Sequence, residues 1–260
     1  MSQGYPRILR ADDRVGAAGT TLTSSPAATT GYPALNVTDW KDYTLWSSSG
    51  ANSYTLEADA GADVTADCIG LAGHNLFTVG ARWKLDGKVN GGGGYVAVVA
   101  YDTPASNETI AKFFVQVSYR YWRITVDNNG GANFIPQLGI FYIGNKIEIP
   151  RLPATPHDPD AIEDHSNIVI GGQGHLLGVT NDYTVRKMSF NFPHITQAFM
   201  TATWLPFIAS YRLSPFIFVW DYVNHPLEAR LVAFSRGGQD QPFSGGVWRE
   251  ISLDLTGRLI

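Results

Sequence analysis

Residues 119–149, YRYWRITVDNNGGANFIPQLGIFYIGNKIEI, decide how the chain is read. Side chains alternate across a strand, so Tyr121, Arg123 and Thr125 fall on one face and Trp122, Ile124 and Val126 on the other. Asn128-Asn129-Gly130-Gly131 supplies residues that tolerate positive φ, as a tight turn requires. A second apolar run, Leu138 to Gly144, follows at once, which predicts strand, turn, strand. Just upstream the apolar residues Phe113, Val115 and Val117 occupy odd positions, and from Trp122 the bulky ones move to even positions. A change of phase by one residue flips every side chain, so a turn or bulge is expected near Tyr119 and Arg120.

Four prolines lie between Pro150 and Asp164. Proline stiffens an extended chain and removes backbone donors, and the stretch therefore reads as a linker between two domains. The predicted layout is residues 1–149, a linker over 150–164, and residues 165–260. Upstream, Arg7–Arg10, Ser53–Glu57, Asp67–Leu71, Ala81–Leu85 and Tyr95–Ala100 read as strands. The turn-rich ADAGADVTA separates two of them, Asp86-Gly87 marks a turn, and Tyr95–Ala100 has the continuous apolar character of a buried strand. Downstream, Asn167–Ile170, Tyr183–Phe192, Pro215–Tyr222, Ala229–Ser235 and Trp248–Leu255 read as strands, with GGQGH as a turn. Thr196 is positioned to cap a helix running to Tyr211, which Pro206 should kink or end. The fold class is mainly all-β: an N-terminal β-sandwich, then a C-terminal β-sandwich with one α-helix.

The 260 residues carry a net charge of −4, 27 Gly, 14 Pro and 16% charged residues. The Gly and Pro content favours turns and short strands. No basic block or basic helix appears, so sequence-specific nucleic-acid binding is not expected. The longest apolar runs fall far short of the ~20 residues of a membrane helix, and no membrane insertion is expected. Met1 to Tyr5 lacks the basic-then-apolar pattern of a secretory leader. Cys68 is the one cysteine, which excludes an intrachain disulfide and suits a small buried strand residue.

Two resemblances add to this reading. Ala34-Leu35-Asn36, Thr44-Leu45-Trp46, Ile69 to Leu76, Tyr121 to Ile124 and Leu138 to Gly144 together resemble the galactose-binding-like (discoidin, F5/8 type C) jelly roll. Arg186 to Phe190, the helix, Pro215 to Asp221 and Trp248 to Leu255 resemble tail-tube-like domains of tailed-phage distal tail and baseplate proteins, with the domain order reversed. The resemblance implies a non-enzymatic structural component of a phage tail tip or baseplate. Its partners would be further copies in a ring, six by resemblance, and other tail proteins. Its location would be the virion, after synthesis in the host cytoplasm. Phe199, Trp204, Phe216, Trp220 and Trp248 are then the candidate interface residues, since aromatic residues are enriched at association surfaces.

The alternative is a carbohydrate-binding module for a host surface glycan. Aromatic faces stack on sugars while Arg, His and Asn hydrogen-bond hydroxyls. Trp40, Trp46, His74, Asn75 and Arg123 are the candidates, although His74 could equally bond backbone. No catalytic signature stands out: Gly91–Gly94 lacks the Lys-Ser/Thr of a phosphate loop, and no Gly-x-Ser-x-Gly is present. Neither a metal nor a cofactor is expected. The dense run His157, Asp158, Asp160, Glu163, Asp164, His165 reads as a solvated acidic linker.

Overall fold

A computed structural model describes residues 4–170, 172–235, 243–244 and 248–259. The chain divides into two compact units, Met1–Glu148 with Phe216–Arg230, and Ile149–Pro215 with Leu231–Ile260. Both are mainly antiparallel β-structure, as the composition implies.

The first unit begins with β1 (Arg7–Leu9), β2 (Thr21–Ser25) and β3 (Trp46–Ser47). Next come β4 (Ser53–Ala72), β5 (Arg82–Lys88), β6 (Val96–Asp102) and β7 (Ile110–Asp127). Three short strands, β8 (Gln137–Leu138), β9 (Ile140–Gly144) and β10 (Ile147–Glu148), complete this part. Its principal sheet runs β2-β4-β7-β5-β6, with β9 also paired to β4. One face of that sheet buries Tyr54, Leu56, Trp83, Leu85, Trp122, Ile124 and Val126 in a single core with Trp46 and Phe141.

The 119–149 stretch folds differently from a simple hairpin. Asn129 (φ 58°) and Gly130 (φ 83°) make the expected turn. The run after it, however, pairs with β4, with Ile143 opposite Ile69, and not with β7. The phase change does not break β7, which is continuous over eighteen residues. The irregularity expected near Tyr119 and Arg120 is a bulge and not a turn: the register against β4 shifts between Asp59, opposite Tyr121, and Val64, opposite Tyr119, and again between Ala66 and Cys68. ADAGADVTA is likewise no turn between strands, because Gly61 (φ 77°) sits in a bulge that lets β4 run on for twenty residues. Asp86-Gly87 lies inside β5, and β6 is an edge strand with Val96 exposed, so the expected buried strand is corrected. A strand apolar along its whole length does not reveal whether both faces are covered. Cys68 is fully buried and its Sγ lies 3.2 Å from the Gly144 carbonyl.

The second unit begins with a hairpin of β11 (Ala161–Ile170) and β12 (Leu176–Ile195). Strand formation from Ala161 corrects the expected linker over 150–164, whose last residues belong to β11. Thr196 caps the helical segment as predicted, its hydroxyl accepting from the Phe199 N–H. The segment is α1 (Gln197–Phe199), a π-helical stretch Met200–Trp204, and α2 (Leu205–Tyr211). Pro206 falls inside a continuous helical run, where it removes one N–H donor, and the π stretch just before it, closed by the Leu205 N–H on the Met200 carbonyl, marks the irregularity.

Strand β13 (Phe216–Val219) belongs to the first unit, where it pairs with β1, and Ile217 packs against Gly70 so closely that a Cβ there would lie 2.5 Å from its Cδ1. The chain then returns through β14 (Ala229–Phe234), and β15 (Phe243–Ser244) and β16 (Trp248–Arg258) complete the second unit. Strand β16 pairs with β12 and β14. Met188, Phe190, Phe192, Trp204, Phe207, Leu253 and Leu255 are buried here. Of the aromatic candidates for an interface, Trp204 and Phe216 are buried, and the Trp220 indole donates to Glu228 at 2.6 Å. Phe199 is half-buried and Trp248 exposed. Gly171, the first residue of the expected GGQGH turn, lies outside the described residues.

A candidate ligand face on the six-stranded sheet

The face of the principal sheet opposite the core carries a dense set of tyrosines and charges. Alternation places Glu57 and Asp59 of β4, Tyr121, Arg123 and Asp127 of β7, and Arg82, Lys84, Asp86 and Lys88 of β5 there. Register brings them into rows: Glu57 lies opposite Arg123 and Arg123 opposite Asp86, while Asp127 lies opposite Arg82. Tyr95 and Tyr101, just before and within β6, complete the set.

Each ring is pinned by cations. The Arg123 guanidinium lies 3.5 Å from the Tyr95 centroid, and Lys88 lies 5.2 Å from Tyr95 and 4.5 Å from Tyr121. Arg82 lies 4.0 Å from the Tyr101 centroid and Lys84 5.4 Å. Arg82, Lys84 and Arg123 are fixed in turn by carboxylates. Arg82 donates to Asp127 at 2.7 Å, and Asp86 takes Lys84 at 3.0 Å and Arg123 at 3.4 Å. Arg120 grips Asp59 through two N–H groups at 2.6 and 2.8 Å, and the Tyr95 hydroxyl donates to Glu57. Asp86 is buried beneath its partners, whereas Tyr101 is 41% exposed.

The electrostatics follow from this pairing. The bidentate Arg120 holds the Asp59 carboxyl below its ordinary range. Burial alone would raise Asp127, but hydrogen bonds from Tyr101, Arg82 and the Asn129 N–H outweigh it and hold the carboxyl low. Burial, followed by the Asp127 carboxylate, pushes the Tyr101 hydroxyl up to about 12. The outcome is a preorganised surface of phenol rings and paired charges, with guanidinium N–H groups in excess of those its carboxylates occupy.

Of the five residues expected to bind sugar, only Arg123 lies on this face. Trp40 is buried with φ 59°, donates to Asp13 at 2.9 Å and packs edge-on against Tyr142. Trp46 is buried and donates to the Ser24 hydroxyl at 3.1 Å. Neither indole offers a face to a ligand. Asn75 bonds the Ile135 carbonyl at 3.0 Å and the Gln137 N–H at 2.9 Å, so it ties loop to loop. His74 is buried with Nε2 2.9 Å from the Glu108 carbonyl. A signal for the missed residues exists in the sequence: Arg82-x-Lys84-x-Asp86-x-Lys88 puts a charged residue at every second position, on one face of a strand. What the sequence does not show is that β7 and β6 flank it.

His74 yields a pH prediction. Burial, only partly offset by the Glu108 carbonyl, depresses it from 6.5 to about 4. The unfolded chain therefore takes up its proton first, and the stability is complete above pH ~6.5 and falls as pH drops towards 4, by roughly 3 kcal/mol at most. Asp13 acts in the opposite sense: burial raises it to about 6, so its contribution is complete below pH ~4 and is lost as pH rises to 6. The difference between wild type and His74→Gln isolates the histidine. Urea melts between pH 4 and 7 should show a shallower acid loss in the variant, and parallel curves would refute the account.

Other concavities differ in character. A cleft of about 720 Å³ in the second unit is lined by Pro156, His157, Lys187, Ser189 and Asp254, among others. Within it Ser189 donates to Asp254 at 2.9 Å, and Lys187 pairs with Glu163 outside it at 2.6 Å. Among the described residues no three His, Cys, Asp or Glu side chains converge as metal ligands. In the acidic run, Asp160 pairs with Arg186, Glu163 with Lys187, and Asp164 accepts from Thr184. Among the described residues no helix is long and apolar enough to cross a membrane.

No family model and no curated protein sequence matches this chain. Among solved structures, a Ruminococcus gnavus GH29 fucosidase in complex with fucose is similar at 17% identity and a TM-score of 0.46, covering 54% of this chain and 28% of that one. Chitosan-binding module 1 from a Paenibacillus sp. IK-5 chitosanase/glucanase is similar at 16% identity and 0.43, covering 50% and 97%. A Clostridium perfringens module, CpGH89CBM32-5, in complex with GalNAc-β-1,3-galactose, is similar at 9% identity and 0.40, covering 48% and 94%.

Proposed function

We propose that the first unit is a carbohydrate-binding module that holds a glycan against the outer face of its six-stranded sheet. The observation that carries this reading is the triad Tyr95, Tyr101 and Tyr121, each ring packed by a guanidinium, of Arg123, Arg82 and Arg120 respectively, that is itself paired with a carboxylate. Aromatic rings supply apolar contact to the C–H faces of a sugar, and the flanking charges supply donors and acceptors to its hydroxyls. The galactose-binding-like resemblance of the first half agrees with it. The reading rests on the face and not on the solved structures above.

The test is a glycan array followed by calorimetry on the full chain and on Tyr101→Ala. Because Tyr101 is well exposed, its loss should leave the melting temperature nearly unchanged while weakening glycan binding about tenfold. Unchanged affinity would remove the face from consideration. Turnover of the glycan, abolished by replacing one Asp or Glu, would convert the module into an enzyme.

A second reading, assembly into a virion tail ring with tail partners, is favoured by the β11–β12 hairpin. Ile168 lies opposite Val179 and Ile170 opposite Leu176, and all four are exposed. Opposed residues share a face, an isolated two-stranded hairpin is marginal, and exposed apolar patches mark association surfaces. Light scattering should then show an oligomer that Ile168→Lys dissociates. A wild-type monomer at high concentration would end this reading.

A further inference from the structure

We infer that the tyrosine face takes an extended, uncharged saccharide chain and not a single terminal sugar. The inference rests on the glycan-binding reading and specifies its ligand.

Length is the first observation. Asp102 lies opposite Trp83 and Val96 opposite Gly87, which puts Tyr101 level with Lys84 and Tyr95 level with Lys88, towards opposite ends of β5. Those positions are four residues apart, and extended strands rise ~3.3 Å per residue, which spreads the rings over roughly 13 Å. A disaccharide cannot span that distance. Tyr121 lies beside Lys88, on the strand next to β5, and widens the platform at that end.

Shape is the second. Small-ligand sites enclose most of their ligand in a cavity. The cavity near His157 and Asp254 and the one near Thr103 and Pro226 are lined by other residues altogether, and the tyrosine face is an open sheet surface. A ligand lying on a sheet offers one side of each unit, so useful affinity has to be accumulated along a chain.

Charge is the third. The face holds the cations Arg82, Lys84, Lys88, Arg120 and Arg123 against the carboxylates Glu57, Asp59, Asp86 and Asp127. Arg82, Lys84, Arg120 and Arg123 are committed to carboxylates at 2.6 to 3.4 Å. A polyanionic chain would have to break those pairs. Hydroxyl groups need only the lone pairs and N–H groups the pairs leave over.

Calorimetry on the full chain tests this with cello-, xylo-, manno- and galacto-oligosaccharides from mono- to hexasaccharide, beside uronate oligosaccharides of equal length. Affinity for at least one uncharged series should rise about tenfold or more between di- and tetrasaccharide and then level off. Tyr101→Ala should flatten that rise, with circular dichroism confirming an unchanged fold. Tight binding of a monosaccharide, with no gain on lengthening, would overturn the chain-length inference while leaving glycan binding intact. A preference for the uronate series would overturn the uncharged class. A length-dependent rise that Tyr101→Ala leaves untouched would overturn the placement of the chain. Absence of binding to any saccharide would bring down the glycan reading itself.

Discussion

Trp122→Ala is expected to cost the first unit about 3–5 kcal/mol, the range for emptying a large aromatic site in a core. Trp122 is 1% exposed, its indole donates to the Tyr119 carbonyl at 3.1 Å, and its ring packs edge-on to Tyr119. It also faces Phe114 at 6.4 Å. Its position is central, on the strand that pairs with both β4 and β5, so neighbours cannot close the hole without bending three strands. Denaturant melts followed by near-ultraviolet circular dichroism would measure the loss. Trp122→Phe should recover much of it, since it keeps a ring in place and forfeits only volume and one hydrogen bond. A loss under about 1 kcal/mol for the alanine variant would mean the core is looser than its burial implies.

Asp86→Ala should have the second largest effect and should act on both stability and binding. The carboxylate is buried between Lys84 and Arg123. Removing one partner of a buried pair leaves the others uncompensated and costs about 3 kcal/mol. Lys84 and Arg123 are also the groups that hold Tyr101 and Tyr95, so the platform loses its order along with its charge balance. Asp86→Asn retains size and one acceptor, and should lose less of both properties. Denaturation and glycan calorimetry on the two variants give the comparison. Full binding by Asp86→Ala would separate the ion pairs from the ligand face and refute the coupling.

Local features were the legible ones. The turn at Asn129-Gly130, the burial of Trp122, Ile124 and Val126, the Thr196 cap and the irregularity near Pro206 each depend on a few neighbouring residues. Pairing was less accessible, because it joins residues far apart in the chain. Nothing local tells β9 to add to β4 in place of β7, nor sends Phe216–Arg230 to the first unit. The site suffered from the same gap. Tryptophan and histidine drew attention as sugar ligands, but a large apolar ring is also what a core recruits, and Trp40, Trp46 and His74 went there. The tyrosines of the outer face became a cluster only once three strands were side by side.

The path of the chain between the units bears on how the protein is made. The first unit needs β13, whose Ile217 packs on Gly70, so it cannot be completed when residue 148 leaves the ribosome. Its last segment ends at residue 230, which is 230 − 148 = 82 residues later. At 5–20 residues per second, that is a wait of roughly 4 to 16 s. During it the strand Arg7–Leu9 stands without its β13 neighbour, and a nascent-chain chaperone has a defined interval and a defined surface on which to act. A gene fragment ending at the proline run would make that interval permanent, and its product should aggregate where the full-length chain does not.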